Sequence, residues 1–195
     1  MWDLQLGSKV CTLQLDFLMI DLPPILDFEA SSLSDGSYPI TAGLVIQGKV
    51  HHWVIKPQPD WVDWSLDSQA LHGIKRSELM DFGMPATEVY AQIGELLNGV
   101  PVIYSDNPYW ESRWLRCLGN FNYEILDIRE LIPLATRQEW PMALGQTFEV
   151  SQLIRHRADH DAYAMYLTAL RLSSDTYTDS GRFGDASIAG FDGRP

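Results

Sequence analysis

The stretch 38-YPITAGLVIQGKVHHWVIKP-57 limits the fold more than any other part of the chain. Two runs rich in β-branched and aromatic residues flank Gln47-Gly48, and a two-residue break ending in glycine favours the tight turn of a β-hairpin. The segment 25-ILDFE-29 reads as a further strand just before it, so the chain opens with three antiparallel strands. Helix and strand patterns then alternate. Residues 67–74 and 77–82 read as short helices, and 85–98 as an amphipathic helix with Val89, Ile93, Leu96 and Leu97 on one face. Residues 100–105 read as a buried strand, 109–118 as a helix and 124–128 as a strand. The last helix, 158–172, turns Ala162, Met165, Tyr166, Ala169 and Leu170 inward. The expected fold class is α/β of the mixed α+β kind: three antiparallel strands, then alternating helix and strand, with helices packed on a mixed sheet.

A chain of 195 residues has room for one domain with a sizeable core. Residues 1–20 are expected to be an N-terminal extension, with Met19 a candidate translation start, and 21–172 the folded domain. Residues 173–195, rich in Ser, Asp and Gly, are expected to be a disordered tail. The formal net charge of −12 argues against a surface that coats long duplex nucleic acid, while leaving room for a pocket that takes a short or single-stranded end. Cys11 and Cys117 have no C-x-x-C partner, which leaves a zinc knuckle unsupported and fits a reducing compartment, the cytoplasm by default. The apolar run at 10–26 is broken by Asp16, Asp21 and two prolines, so neither a signal peptide nor a membrane span is expected.

Strand side chains alternate, so Asp27 and Glu29 share one face, roughly 6.5–7 Å apart, and Phe28 takes the other. A lone D-x-E pair is an ordinary solvated strand edge. Further acids change its weight. In 102-VIYSDNPYWESRWL-115 a buried strand ends and a helix begins, with Asp106 at the junction and Glu111 in the first turns. Sites in α/β sheets form where strands end and helices start. In 156-HRADHDA-162, His156 precedes the last helix and Asp161 lies about one turn inside it. On a regular helix the two would diverge by about 140°, whereas a His156 in the preceding loop lets both reach one point. Taken alone, His156 is a surface imidazole between Arg155 and Arg157. Four carboxylates cannot share a pocket as anions without divalent cations between them. Oxygen ligands with neither cysteine nor a histidine cluster select hard ions, Mg²⁺ or Mn²⁺. Two such ions about 3.5–4 Å apart suit in-line displacement at phosphorus, and a neutral histidine beside them can accept a proton from the attacking water.

This order of motifs resembles the DEDDh 3′–5′ exonucleases, the superfamily of proofreading exonucleases, ribonuclease T and oligoribonuclease. Asp27 and Glu29 match the first motif, and His156, Asp161 and Ala162 the third. The segment 70-ALHGIKRSEL-79 is similar to the family element ending in H-G-I, and the likeness spans residues 23–172. The resemblance implies a ribonuclease H-like fold, an exonuclease domain over 21–172 and two Mg²⁺ or Mn²⁺ ions. It implies hydrolysis of the terminal 3′ phosphodiester of single-stranded or short RNA or DNA to nucleoside 5′-monophosphates. By the same resemblance His156 is the general base, Asp27 bridges the metals, and Glu29, Glu111 and Asp161 complete their shells. Phe28, Leu71 and His72 border the terminal nucleotide by stacking or backbone contact, with simple core packing the alternative for Phe28 and Leu71. RNA and DNA are not separated, a homodimer stays open, and no membrane partner is implied.

The middle motif departs from the pattern: Glu111 stands where the family usually has Asp, and Asp106 where it commonly has Asn. Either Glu111 is a working substitute, or Asp106 takes over the metal, or activity is low or lost and the domain is a binding module. Glu111 is the expected ligand. His51 and His52, adjacent in a strand, face opposite sides. His160 has no motif spacing to Asp161 and is set aside, and Asp127 reads as structural. Trp53, Trp61, Trp64 and Trp140 read as packing residues. Lys75, Arg76, Arg113, Arg155 and Arg157 are phosphate-steering candidates or ordinary solvated charges.

Overall fold

The computed structural model describes residues 22–120 and 122–174. The expected N-terminal extension, and the expected tail from 175 on, lie outside the described residues. The elements are β1 (Ile25–Ala30), β2 (Pro39–Ile46), β3 (Lys49–Lys56), α1 (Leu66–His72), α2 (Arg76–Phe82) and β4 (Met84–Pro85). They continue with α3 (Ala86–Leu96), β5 (Val102–Ser105), α4 (Pro108–Leu118) and β6 (Glu124–Asp127). Two 3-10 turns, Ile128–Leu131 and Leu134–Glu139, lead into α5 (Trp140–Val150) and α6 (Ala158–Ser174). The six strands lie in the order β4-β3-β2-β1-β5-β6. The sheet is mixed, as expected: β1, β2 and β3 pair antiparallel, and β5 joins β1 and β6 in parallel. At the β2–β3 turn Gln47 and Gly48 have φ of 51° and 71°, the two positive values that a hairpin turn matching the strand twist demands.

Three local readings differ from the structure. No element is expected between 128 and 158, yet α5 fills part of that stretch. Its buried residues Trp140, Ala143, Thr147 and Phe148 follow helical spacing. Pro141 in the first turn and Gly145 inside the helix, each a break signal in sequence, mask it. A two-residue strand, β4, pairs with Ile55 and Lys56 where a helix start is expected. The last helix runs to Ser174, past the expected tail boundary at 173.

Alternation along β1 splits the core in two. Leu26 and Phe28 join Ala42, Leu44, Trp53 and Ile55 in one layer with Val89 and Ile93 of α3 and Trp114, Leu115 and Leu118 of α4. Ile25 and Val45 face the other way, onto Trp140 and Ala143 of α5 and Ala162, Met165, Tyr166 and Ala169 of α6. Helices therefore cover both faces of the sheet.

Two features of this packing place the acids. Asp27 and Glu29 share the face of β1 that α6 crosses. The parallel register of β1 and β5 pairs Ile25 with Tyr104, which carries Asp106 abreast of Asp27 just past the end of β5. The chain then turns into α4, with Pro108 at its start. Ile103, fully buried between the sheet and its helices, is a measure of this packing. Ile103→Ala is expected to lower unfolding free energy by about 2–5 kcal/mol in urea titrations. Leu134→Ala, at an exposed site, is expected to stay within about 0.5 kcal/mol.

Candidate active site

Two elements bring three acids to one point. Asp27 and Glu29 come from β1 and Asp161 from the first turns of α6, and one carboxylate oxygen from each lies within 4.8 Å of the others. Glu111 enters from the first turn of α4 and is 2% exposed. The Phe28 backbone N–H donates to its carboxylate, while Oε2 is buried with no hydrogen-bond partner. Asp106 stands exposed at the rim. Of these acids Glu111 is the most buried and Asp106 the most open to water.

Their electrostatics follow from burial first and mutual repulsion second. The Asp27 carboxyl is pushed well above the usual range by burial, then by Glu111, Asp161, Asp106 and Glu29. Glu29 is raised to about 8 by burial and then Asp161. Burial raises Asp161 to about 7, with Asp106 adding to it, against the opposing pull of the Arg157 and His156 backbone N–H groups and of Arg155. Glu111 is raised by burial and then by Asp106 and Glu29, with the Phe28 amide opposing. Asp106 is raised by burial and by Asp127, against the opposing pull of its own backbone N–H and of Arg129. Acids held this way stay partly protonated near neutral pH unless a cation joins them. An oxygen-only donor set with one buried oxygen left unpartnered fits a divalent metal ion.

The loop before α6 is pinned at both ends. Ile154 N–H donates to His160 Nδ1 at 2.8 Å, and Arg157 N–H donates to Asp161 Oδ2 at 2.8 Å. His156 lies between them with φ of 60°, a left-handed value that a non-glycine residue adopts at some cost. The His72 pKa is lowered by burial and then by nearby His156. The His72 ring is fixed: Nδ1 accepts from Ile74 N–H at 3.1 Å, which leaves the proton on a buried Nε2 that has no partner. Leu71 is 59% exposed beside it. Phe28 is 4% exposed and belongs to the core on the opposite face of β1, so its backbone, not its ring, reaches the site.

Sequence reasoning missed two supports. His160, set aside as a histidine without motif spacing, is buried and holds the His156 loop to α6. Its neighbour spacing carries no signal of that contact. Asp63 accepts hydrogen bonds from the hydroxyls of Ser31, Ser32 and Ser34 at 3.0, 2.5 and 2.8 Å. Burial pushes its carboxyl up, but these bonds outweigh it and hold the pKa low. Ser65, two residues on, donates its N–H to the Ser31 carbonyl, and its Oγ caps α1. The clasp ties the end of β1 to the helix that carries Leu71 and His72. A serine-rich loop and an aspartate about thirty residues away give no pattern to detect.

Several of the remaining candidates make structural contacts. Asp127 caps the first 3-10 turn by accepting from Arg129 N–H and pairs with its guanidinium. Trp53 and Trp140 are buried in the core, with Trp61 and Trp64 partly so. Arg76 donates to Tyr38 Oη and the Trp61 carbonyl, and Arg113 to the Asp35 carbonyl. Among the described residues no helix is long and apolar enough to cross a membrane.

No family model and no curated protein matches the chain. Solved structures do. Escherichia coli exonuclease I in complex with a dA16 oligonucleotide aligns with TM-score 0.57 and 16% identity over 80% of this chain and 41% of that one. The zinc ion bound form of an E. coli exonuclease I–ssDNA complex gives 0.56 and 16%, over 80% and 41%. A moderately thermophilic exonuclease I from Methylocaldum szegediense gives 0.56 and 16%, over 76% and 40%. The chain spans about two fifths of the length of these enzymes. The likeness is one of fold: this chain has the ribonuclease H-like exonuclease fold that its motifs resemble.

An acid whose folded pKa is raised favours folding while protonated. That contribution is full below the ordinary values of 3.8 for Asp and 4.5 for Glu, and is lost as pH rises through about 7 for Asp161 and about 8 for Glu29. Thermal melts in EDTA should therefore show stability falling between about pH 4 and pH 8. Asp27→Asn, which removes one charge, should raise the midpoint by roughly 2–8 °C at pH 8, and less at pH 5.

Proposed function

We propose that this chain is a metal-dependent 3′–5′ exonuclease of the DEDDh family, acting on single-stranded or short nucleic acid and releasing nucleoside 5′-monophosphates. The observation that carries the reading is the convergence of Asp27, Glu29 and Asp161 within 4.8 Å, with the buried, unpartnered Glu111 oxygen beside them. The fold it shares with exonuclease I, caught in one structure on a dA16 oligonucleotide, supports the substrate class.

In this reading the donor set holds two Mg²⁺ or Mn²⁺ ions, which when bound polarise the scissile phosphate and stabilise both the attacking and the leaving oxygen. Asp27, which feels the charges of Glu111, Asp161 and Glu29, would be the central ligand of that set, with Glu29 and Asp161 beside it. Glu111 would stand in for the family aspartate: it enters from the first turn of α4 and accepts from the Phe28 N–H, which orients it. Asp106, exposed at the rim, is the auxiliary acid. His156 accepts the proton of the attacking water. The new bond forms from water oxygen to phosphorus, and the bond to the 3′ oxygen of the preceding nucleotide breaks. Exposed Leu71 borders the departing nucleotide, with the fixed His72 ring buried behind it. The burial and charge coupling of Glu111 favour a working enzyme over an inactive binding module.

The test is incubation with Mg²⁺ or Mn²⁺ and 5′-labelled single-stranded DNA and RNA. The expected result is a ladder shortening from the 3′ end on at least one polymer, lost with EDTA and reduced by at least about 10²-fold in Asp27→Ala. Cleavage retained by that variant, or none of either polymer, overturns the reading. Glu111→Asp restores the family residue yet withdraws the carboxylate by roughly one bond length, so it should lower activity by about 10²-fold rather than raise it. Asp106→Ala should cost less than Glu111→Gln.

A further inference from the structure

Gly43 lies in the middle of β2, in register with Asp27 of β1 on one side and His52 of β3 on the other. A Cβ at this position would lie 2.1 Å from the Ala158 carbonyl oxygen, 2.3 Å from its carbon and 2.5 Å from Asp159 N. All three are backbone atoms of the first turn of α6, so no side-chain rotation relieves the overlap. An outward displacement of roughly 1 Å or more is needed to restore ordinary contact. Ala158 and Ala162, both fully buried, seat the same turn on the sheet. That turn begins at the Arg157 carbonyl, which receives the Asp161 N–H at 2.8 Å. Asp161 therefore moves with it.

We infer that Gly43 is a positioning residue for the metal-binding acids. Its missing side chain sets the depth at which α6 seats on β2, and that depth brings the Asp161 carboxylate to Asp27 and Glu29. The inference rests on the proposed metal site. Ligand distances tolerate only about ±0.2 Å, so a shift of the helix end that the fold can absorb is one the site cannot.

The test compares the full chain with Gly43→Ala and Gly83→Ala. Gly83 is a slightly less tight glycine, its added Cβ falling 2.4 Å from the Leu79 carbonyl oxygen and 2.6 Å from Lys56 N, at the α2–β3 contact rather than at the acids. Thermal midpoints are measured against Mn²⁺ concentration, and kcat and KM on a 5′-labelled single-stranded oligonucleotide. Both variants should melt earlier without metal. Only Gly43→Ala should weaken the apparent Mn²⁺ affinity, by about 10-fold or more, and lower kcat by about 10²-fold with KM little changed. Adding Asp161→Glu should recover part of the Mn²⁺ response in Gly43→Ala while weakening it in the parent chain. Unchanged Mn²⁺ affinity in Gly43→Ala, equal loss in both variants, or a Gly43→Ala chain that does not fold overturns the inference. A parent chain with no Mn²⁺ response overturns the proposed metal site itself.

Discussion

Repulsion among Asp27, Glu29, Asp161 and Glu111 is the force that the rest of the domain has to contain. Each is pushed toward its protonated form by burial and by its neighbours. A loose fold would relieve such a cluster by letting the acids swing into water. This one holds them on three well-packed elements: a central strand with Asp27 and Glu29, the first turn of α4 with Glu111 and the first turns of α6 with Asp161. The hydrophobic layers on both faces of the sheet supply the rigidity. Side chains on strands and helices are held more tightly than side chains on loops would be.

The opposing interactions are local. Backbone N–H groups of Arg157 and His156 face Asp161, and that of Phe28 faces Glu111. These fixed dipoles orient the carboxylates without neutralising them, which leaves the charge available to a cation. The supports extend outward from there. His160 fixes the loop that carries His156, and the Asp63 clasp fixes the helix that carries His72. One side of the cluster is thus tied to α6 and the other to α1.

The sheet and most helices were legible because their signals are local. The alternation in 25–57, the glycine turn at 47–48 and the apolar face of α3 each specify one element without reference to the others. The helix α5 was hidden because its apolar spacing is interrupted by Pro141 and Gly145, and it forms against α6 rather than on propensity. The acid pair and the H-x4-D motif were legible for the same reason: their spacing is short and set by strand or helix geometry. The supports were not. The Ile154–His160 bond, the Asp63 clasp and the Gly43–Ala158 contact depend on which surfaces meet after folding.

The mixed sheet, the hairpin and the set of acids follow from the residues alone, because side-chain periodicity and turn stereochemistry act over a few positions. The disposition of Glu111 and Asp106 follows from the packing of distant elements. The register of β1 against β5 sets Asp106 abreast of Asp27 at the solvent edge, and the packing of α4 against Leu26 and Phe28 carries Glu111 inside. Which of two nearby acids is buried is a matter of packing between elements distant in the chain, and no local spacing encodes it.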